Sequence, residues 1–291
     1  MIWQAIVGNT TYTLNDGAPF SLISAANIGM APVRRLSERG PYQHGDSDTG
    51  FRLEPRVITL ALFASADTLA EMDTHRTTLQ TAFRPRSTPI KLRATRDDGA
   101  IRQIDGYTLN QLDWPHGGDD RIGASQRMAL QLRCPDPAWY DPTSLLLTLE
   151  NASSSASGYM VPVSIPTIFD SGSDIDATDT INYTGTWPDY PIIYLVGPLT
   201  NPVLTHITLG LTLDFTGITI ASGKTYTIDL RYGYKTVIDG DGANAIDELT
   251  ADSDLAEFRL EPGDNDINLV ASSATSASGA RLLYTLRYAG L

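Results

Sequence analysis

Ser125-Gln-Arg-Met-Ala-Leu-Gln-Leu-Arg-Cys134 sets Met128, Leu130, Leu132 and Cys134 on one side of an extended chain and Arg127, Gln131 and Arg133 on the other. A period of two residues is that of a strand with one face in a core. The next stretch, Pro135-Asp-Pro-Ala-Trp-Tyr-Asp-Pro142, holds three prolines in eight residues. Proline donates no backbone hydrogen bond and cannot carry a ladder onward. A β domain therefore ends at about residue 142, and the chain reads outward from that stop in both directions.

Upstream, Phe51 to Phe63 is a long β-prone run. Leu53, Val57, Thr59, Ala61 and Phe63 lie on one phase, and Ile58, Leu60 and Leu62 on the other. Two apolar phases predict cover on both faces, and Pro55 marks an entry point. Thr68–Phe83 is the one helical segment, with Leu69, Met72, Leu79 and Phe83 on one stripe. Thr68 and Glu71 fit a capping box, Asp67 competes as the cap, and Pro85 and Pro89 close the segment. Ile90–Thr95 and Ile101–Leu109 flank Asp97-Asp98-Gly99, which predicts a hairpin. Residues 110–124 read as a long loop.

Downstream, a strand-like Leu145–Leu149 runs into Ser/Ala-rich Asn151–Gly158. This divides the chain into 1–142, a linker at 143–158, and 159–291. The last part offers only strands and turns. The strand candidates are Val161–Phe169, Ile192–Val196, Thr205–Phe215, Tyr226–Tyr232, Leu255–Leu260, Ile267–Val270 and Arg281–Tyr288. Turn signals at Thr216-Gly217, Ser222-Gly223, Asp239-Gly240-Asp241-Gly242 and Pro262-Gly263-Asp264-Asn265 give the spacing of a β-sandwich. The fold class is thus mostly β, with one helix in the N-terminal domain.

Composition narrows the function. Of the 291 residues, 42 % are apolar and 19 % charged, with a net charge of −13. Residues 1–140 hold 15 basic and 15 acidic residues, whereas 141–291 hold 6 and 19. Nucleic-acid binding by the second half is disfavoured, because phosphate contacts need cations. Fourteen of the 15 bases in 1–140 are arginine, the cation preferred in interface ion pairs, although a bias of codon usage gives the same count. The single cysteine, Cys134, excludes a disulfide framework and a thiolate zinc site. The N-terminus carries neither a signal peptide nor a membrane span, so synthesis and retention in the cytoplasm are expected unless the chain leaves as part of an assembly.

Each pattern that could carry chemistry has a plainer reading. Asp239-Gly-Asp-Gly-Ala-Asn244 lacks the third acidic position and the closing Glu of an EF-hand loop, and reads as a hairpin turn. Asp170, Asp174, Asp176 and Asp179 offer the carboxylate pair of a glycosidase, but they sit in a Ser/Gly/Thr-rich stretch that reads as a solvated loop. His116 with Asp119 and Asp120 is a weak metal cluster, and the four histidines form no H-E-x-x-H pattern. Trp187, Tyr190, Tyr194, Tyr226, Tyr232 and Tyr234 could stack on sugars or fill a core. No cofactor motif is present. The expectation is a structural protein rather than an enzyme. The alternative is a carbohydrate-binding adhesin module recognising host-surface glycans.

Three stretches in order carry a resemblance. They are Gly45–Thr59 with the helix and hairpin behind it, then Arg133–Pro142, then a C-terminal series. The series comprises Asn182-Tyr-Thr-Gly-Thr-Trp-Pro188, Tyr190-Pro191, Gly197-Pro-Leu-Thr-Asn-Pro202, Ile228-Asp229 and Glu261-Pro-Gly-Asp-Asn265. Over nearly its full length the chain resembles the distal tail proteins of long, flexible-tailed bacteriophages. The resemblance implies a homo-hexameric ring built by the N-terminal domain and a galectin-like β-sandwich projecting from it. It implies a place in the virion, at the tail tip, after synthesis in the host cytoplasm. Partners would be the tail tube protein, the tail-tip hub protein, the receptor-binding components and the tape measure protein. DNA would pass through the lumen unbound, and neither a membrane nor a metal or cofactor would be involved. Some relatives carry large sugar-binding insertions, and no insertion of that size occurs here. On this reading Phe51–Phe63, the 110–124 loop and the 125–134 strand make the ring contacts, with Arg52, Glu54, Arg56, Trp114, Arg127 and Arg133 as the interface residues.

Overall fold

The structure is a computed structural model that describes residues 1–15, 19–110, 112–115, 121–150 and 173–291. The chain divides into two compact units, residues 1–142 with 287–291, and residues 143–286. Val161–Phe169, Asn151–Gly158, Asp170, His116, Asp119 and Asp120 lie outside the described residues. Among the described residues no helix is long and apolar enough to cross a membrane.

The first unit is built on antiparallel strands. These are β1 (Ile2–Val7), β2 (Thr10–Thr13), β3 (Phe20–Ala26), β4 (Val33–Glu38), β5 (Ser47–Leu53), β6 (Arg56–Ser65), β7 (Ile90–Thr95), β8 (Ile101–Thr108), β9 (Arg121–Ile122), β10 (Ser125–Cys134) and the start of β11 (Trp139–Glu150). Pairing runs β3-β6-β10-β8-β7-β1-β2. β9 adds to β10, and β4 and β5 form a separate two-stranded hairpin. The β6–β10 ladder is the longest, in register from Ser65 opposite Ser125 to Arg56 opposite Cys134. On both strands the predicted alternation holds. Ile58, Leu60 and Leu62 of β6 and Met128, Leu130 and Leu132 of β10 are fully or almost fully buried. The predicted run through Phe51–Phe63 breaks at Glu54-Pro55, which separates β5 from β6.

Helix α1 (Leu69–Phe83) starts where the cap signal placed it. The Thr68 hydroxyl accepts from Glu71 N at 3.2 Å, and the Glu71 carboxylate accepts from Asp67 N at 3.1 Å. Arg84, the residue before Pro85, is extended and ends the helix. Met72, Leu79, Ala82 and Phe83 are buried. Leu69 is exposed, because it opens the first turn and the buried stripe begins one turn later. The Asp97-Asp98-Gly99 turn closes β7 on β8, with Arg96 N bonded to Ala100 O at 2.9 Å and Gly99 at φ +84°.

Cys134 ends β10 inside this core. Burial pushes its thiol up to about 12, against the pull of the Arg56 charge. Thiolate is the reactive species. The native protein is therefore expected to resist an aromatic disulfide reagent at pH 8 for hours, while the unfolded chain reacts within minutes. Rapid modification of the native protein would show that the core around Cys134 opens.

The second unit is a β-sandwich. One sheet runs β18 (Thr236–Ile238), β17 (Thr225–Asp229), β13 (Ile192–Val196), β20 (Gly279–Tyr288) and the later part of β11. The other runs β12 (Ser173–Tyr183), β19 (Gly263–Ala274), β14 (Leu199–His206) and β15 (Leu211–Asp214), with β16 (Thr219–Ile220) on β14. Their inner faces share a core that includes Ile193, Leu195, Ile228, Leu282, Leu204, Leu213, Ile267 and Leu269. Leu145–Leu149, expected as strand-like, lies in β11, so residues 143–150 of the expected linker are strand. Three other expectations change. Thr205–Phe215 is two strands, because Gly210, at φ +67°, turns the chain back between them. Leu255–Leu260 is a string of turns anchored by Asp254, of which only Leu260 bridges, to Asp189. Asp174, Asp176 and Asp179 lie on β12 rather than on a loop. β12 ends its sheet, and charge on such an edge discourages pairing with a foreign strand.

Two of the quoted C-terminal motifs now have physical reasons. The Tyr183 hydroxyl donates to Trp187 O at 2.9 Å, which folds 182–188 back on itself. Buried Asn265 donates to Glu261 O at 2.8 Å and Gly263 O at 2.9 Å, and accepts from Glu261 N at 2.9 Å. His206 Nε2 meets its carbonyl oxygen at 3.0 Å while His206 Nδ1 accepts from Leu209 N at 3.3 Å. Burial holds this histidine below its ordinary value, which suits its neutral role in the network.

Candidate assembly interface

The face of β3, β6 and β10 turned away from the core is the first feature to explain. Across β6 and β10 the register pairs Phe63 with Arg127, Ala61 with Ala129, Thr59 with Gln131 and Val57 with Arg133. On the other flank β3 sets Ser21 opposite Phe63, Ser24 opposite Ala61 and Ala26 opposite Thr59. A bulge between Leu22 and Ser24 leaves Ile23 unpaired and exposed. Val57, Thr59, Ala61 and Phe63 are half-buried, whereas Arg127, Ala129 and Arg133 are exposed. The three strands contain no carboxylate. Among the described residues Arg127 and Arg133 enter no ion pair. The centre of this face is small and apolar, its ends carry Arg127 and Arg133, and the exposed Asp113 bridges to Ala129 beside them. Such a face is cheap to desolvate in the middle and selects acidic groups at the rim.

The β4–β5 hairpin is the second feature. A two-stranded ribbon is marginal in water by itself, yet this one exposes Val33 and Phe51, with Met30 just before it and Tyr42 at its tip 99 % exposed. Its charges are unevenly matched. Arg35 pairs with Asp48 at 2.9 Å and lies over the Phe51 ring at 5.7 Å. Arg34 stands directly opposite Arg52, and Glu54 lies 3.8 Å from Arg34. Like charges facing each other across strands repel, so an acidic partner would relieve the pair.

The six residues expected at an interface thus separate. Arg127 and Arg133 share the sheet face, and Arg52 and Glu54 share the hairpin. Trp114 is half-buried against α1, with the Arg76 guanidinium 5.9 Å from its ring. Arg76 Nε also donates to Gln126 Oε1 at 2.8 Å, and Gln126 Nε2 donates to Pro115 O at 3.1 Å, so this cluster braces residues 114–115 against helix and strand. Arg56 is not a surface residue. It is fully buried, and its guanidinium donates to Asn27 O at 3.1 Å, Gly29 O at 2.7 Å and Ala289 O at 3.0 Å. It also lies 5.9 Å from the Trp139 ring. Phe51 opens the run expected to make ring contacts, whereas Ile23, Val33 and Tyr42 are exposed apolar residues that the sequence reading does not single out.

The motifs with chemical readings are occupied by structure. Asp239 Oδ1 accepts from Asp241 N and Ala243 N, each at 2.8 Å, as a turn residue does. Asp176 accepts from Asn268 Nδ2 at 2.7 Å, and Asp179 from Thr180 N at 2.8 Å. Among the described residues no three His, Cys, Asp or Glu side chains converge as metal ligands.

A mostly β chain with one helix in its first unit and a β-sandwich as its second is the class of protein that these observations define. Neither a family model nor a curated protein matches the sequence. Among solved structures, the chain has the fold of the Dit protein of phage SPP1, a paradigm of the hub adsorption apparatus in phages infecting Gram-positive bacteria. That likeness covers 99 % of this chain and 99 % of that one, with a TM-score of 0.64 at 13 % identity. The baseplate of phage P2 in its activated conformation gives two further alignments. The calcium form covers 100 % of both chains at 12 % identity and TM-score 0.48. The strontium form covers 98 % and 97 % at 10 % identity and TM-score 0.46. The chain therefore shares the fold of SPP1 Dit, the kind of fold that the sequence resemblance implies.

Proposed function

We propose that the chain is a non-catalytic distal tail protein that closes into a six-fold ring at the tip of a long phage tail. The ring joins the tail tube protein to the tail-tip hub and the receptor-binding components. Its lumen passes the tape measure protein and then DNA, without specific contacts. The observation that carries this reading is the likeness to SPP1 Dit along the whole of both chains, a protein of a hub adsorption apparatus. Two surfaces support it from the residues upward. The face of β3, β6 and β10, with its small apolar centre between Arg127 and Arg133, and the exposed apolar residues of the hairpin β4–β5 are of the kind that subunit contacts bury. Ring contacts built on them would bury on the order of 2,000 Å² or more per contact, in a closed cyclic arrangement.

Native mass spectrometry with negative-stain images tests this reading. The expected result is a six-fold ring, formed by the chain alone or when the tail tube protein is added. Arg127→Glu with Arg133→Glu is expected to convert the ring to monomers while leaving the fold intact, because both side chains are exposed. A protein that stays monomeric at high concentration and with the tail tube protein would overturn the proposal.

A further inference from the structure

The turn at 230–235 in the second unit, between β17 and β18, displays two tyrosines and holds them in place. Tyr232 is 71 % exposed and Tyr234 60 % exposed. Behind Tyr234, the Arg231 guanidinium lies 4.6 Å from the ring centroid. That guanidinium is fixed in turn by Asp229, accepting from Arg231 Nε at 2.9 Å and from a terminal nitrogen at 2.7 Å. Behind Tyr232 stands Tyr190, with ring centroids 4.5 Å apart and hydroxyls 2.8 Å apart. The Lys235 ammonium sits 4.3 Å over the Tyr190 ring and donates to Ala256 O at 3.0 Å. Gly233 at φ +85° and Lys235 at φ +49° give the turn its shape. These aromatic faces are neither buried nor loose. A residue that only filled space would not need such support, and rings fixed before binding lose little entropy when a ligand arrives.

We infer that Tyr232 and Tyr234, with Arg231 and Lys235 at their rim, form a platform for a neutral saccharide. Size, charge and chemistry each favour that class. Two tyrosines at this exposure offer roughly 200–300 Å², well short of the about 800 Å² that one side of a stable protein interface buries. One or two sugar rings match that area. The Arg231 cation is neutralised by Asp229, and residues 141–291 carry 19 acidic against 6 basic residues. Phosphate-rich or acidic ligands are repelled by that balance. A sugar ring has an apolar C–H face to lay on an aromatic ring and hydroxyls around its edge. The fork of guanidinium donors and the ammonium at the rim suit those hydroxyls. The proposal stands whether or not the chain forms a ring.

Saturation-transfer difference NMR on the full chain tests it, with cellobiose, maltose and N,N′-diacetylchitobiose at millimolar concentration. The expected result is transfer to at least one of the three. Tyr232→Ala and Tyr234→Ala are expected each to weaken binding about tenfold, which corresponds to about 1.4 kcal/mol. Tyr234→Phe, which keeps the ring face, should bind nearly as well as the wild type. Both tyrosines are exposed, so the variants should keep the native circular dichroism spectrum. No transfer from any of the three disaccharides, or transfer unchanged in the double alanine variant, would overturn the proposal. If no disaccharide binds and the double variant instead loses a contact with another tail protein, the tyrosines belong to a protein interface and the proposal falls.

Discussion

Replacing Arg56 by alanine is expected to destabilise the first unit by about 3 kcal/mol or more, a fall in Tm of roughly 10 °C. The guanidinium is buried, and among the described residues it meets no carboxylate within ion-pair distance. Its charge is offset instead by the carbonyls of Asn27, Gly29 and Ala289. A hydrogen bond to a charged group contributes about 1.5–3 kcal/mol. Against this, removing the charge relieves part of the penalty of burying it. Three bonds outweigh that relief. Arg56→Lys separates charge from geometry. An ammonium is a point donor and cannot span carbonyls that a planar fork reaches in different directions, so lysine should recover less than half of the loss. Hydrogen exchange locates the effect, with protection expected to fall at 27–29 and 287–291. Alanine at 56 within about 0.5 kcal/mol of wild type, the range of an ordinary surface substitution, would show that the clamp is dispensable.

The second large effect is expected at Gly197. Its N–H donates to Lys224 O at 3.0 Å. A Cβ built there would lie 2.3 Å from Ala221 O, 2.7 Å from Ile220 O and 2.9 Å from Ile220 Cγ2. Two of these atoms are backbone, so no rotamer change relieves the contact. Alanine must push β16 off β14, where Leu199 pairs with Ile220 and Thr200 with Thr219. Overpacking that moves backbone costs about 3 kcal/mol or more. The loss should fall on the second unit, whose one tryptophan is Trp187, and leave the first unit unchanged. Thermal unfolding followed by hydrogen exchange would check both halves of that statement. A Gly197→Ala protein as stable as wild type would mean that the 220–221 backbone gives way freely.

These two positions show what the sequence carried and what it did not. The alternation in β6 and β10 is a local signal, and it placed Ile58, Leu60, Met128, Leu130 and Cys134 in the core from the residues alone. Arg56 shares the phase of Ile58, Leu60 and Leu62, so the pattern already pointed it inward. A charged residue ordinarily stays at the surface, and the interface expectation for Arg56 conflicts with that inward phase. Its carbonyl partners come from Asn27, Gly29 and Ala289, far apart along the chain, and no local rule links them. Gly197 belonged to a recognisable motif, but a glycine needed for close backbone approach reveals itself only when the opposing strand is known. β12 escaped notice because its aspartates suggest a loop, whereas an edge strand tolerates and uses them. The hairpin residues Val33 and Phe51 are different, since their exposure could not be read without the fold. For the candidate interface, residue type alone singled out Arg127 and Arg133. Their common face with Ala61 and Phe63 required the register.

The first unit is not continuous in sequence, and this bears on how the protein is made. Residues 287–291 belong with 1–142. Ala289 O takes one Arg56 bond, Leu291 N bonds to Ile28 O at 3.0 Å, and Tyr288 lies under the Arg102 guanidinium at 3.3 Å. A ribosome releases residues in order, so all of 143–286 emerges before those contacts can form. Domains usually fold as they appear. Here the first to appear must wait, with Arg56 already buried or still searching, until the second has been synthesised. Any gene cut after codon 142 would encode a first unit without the segment that locks its charged centre.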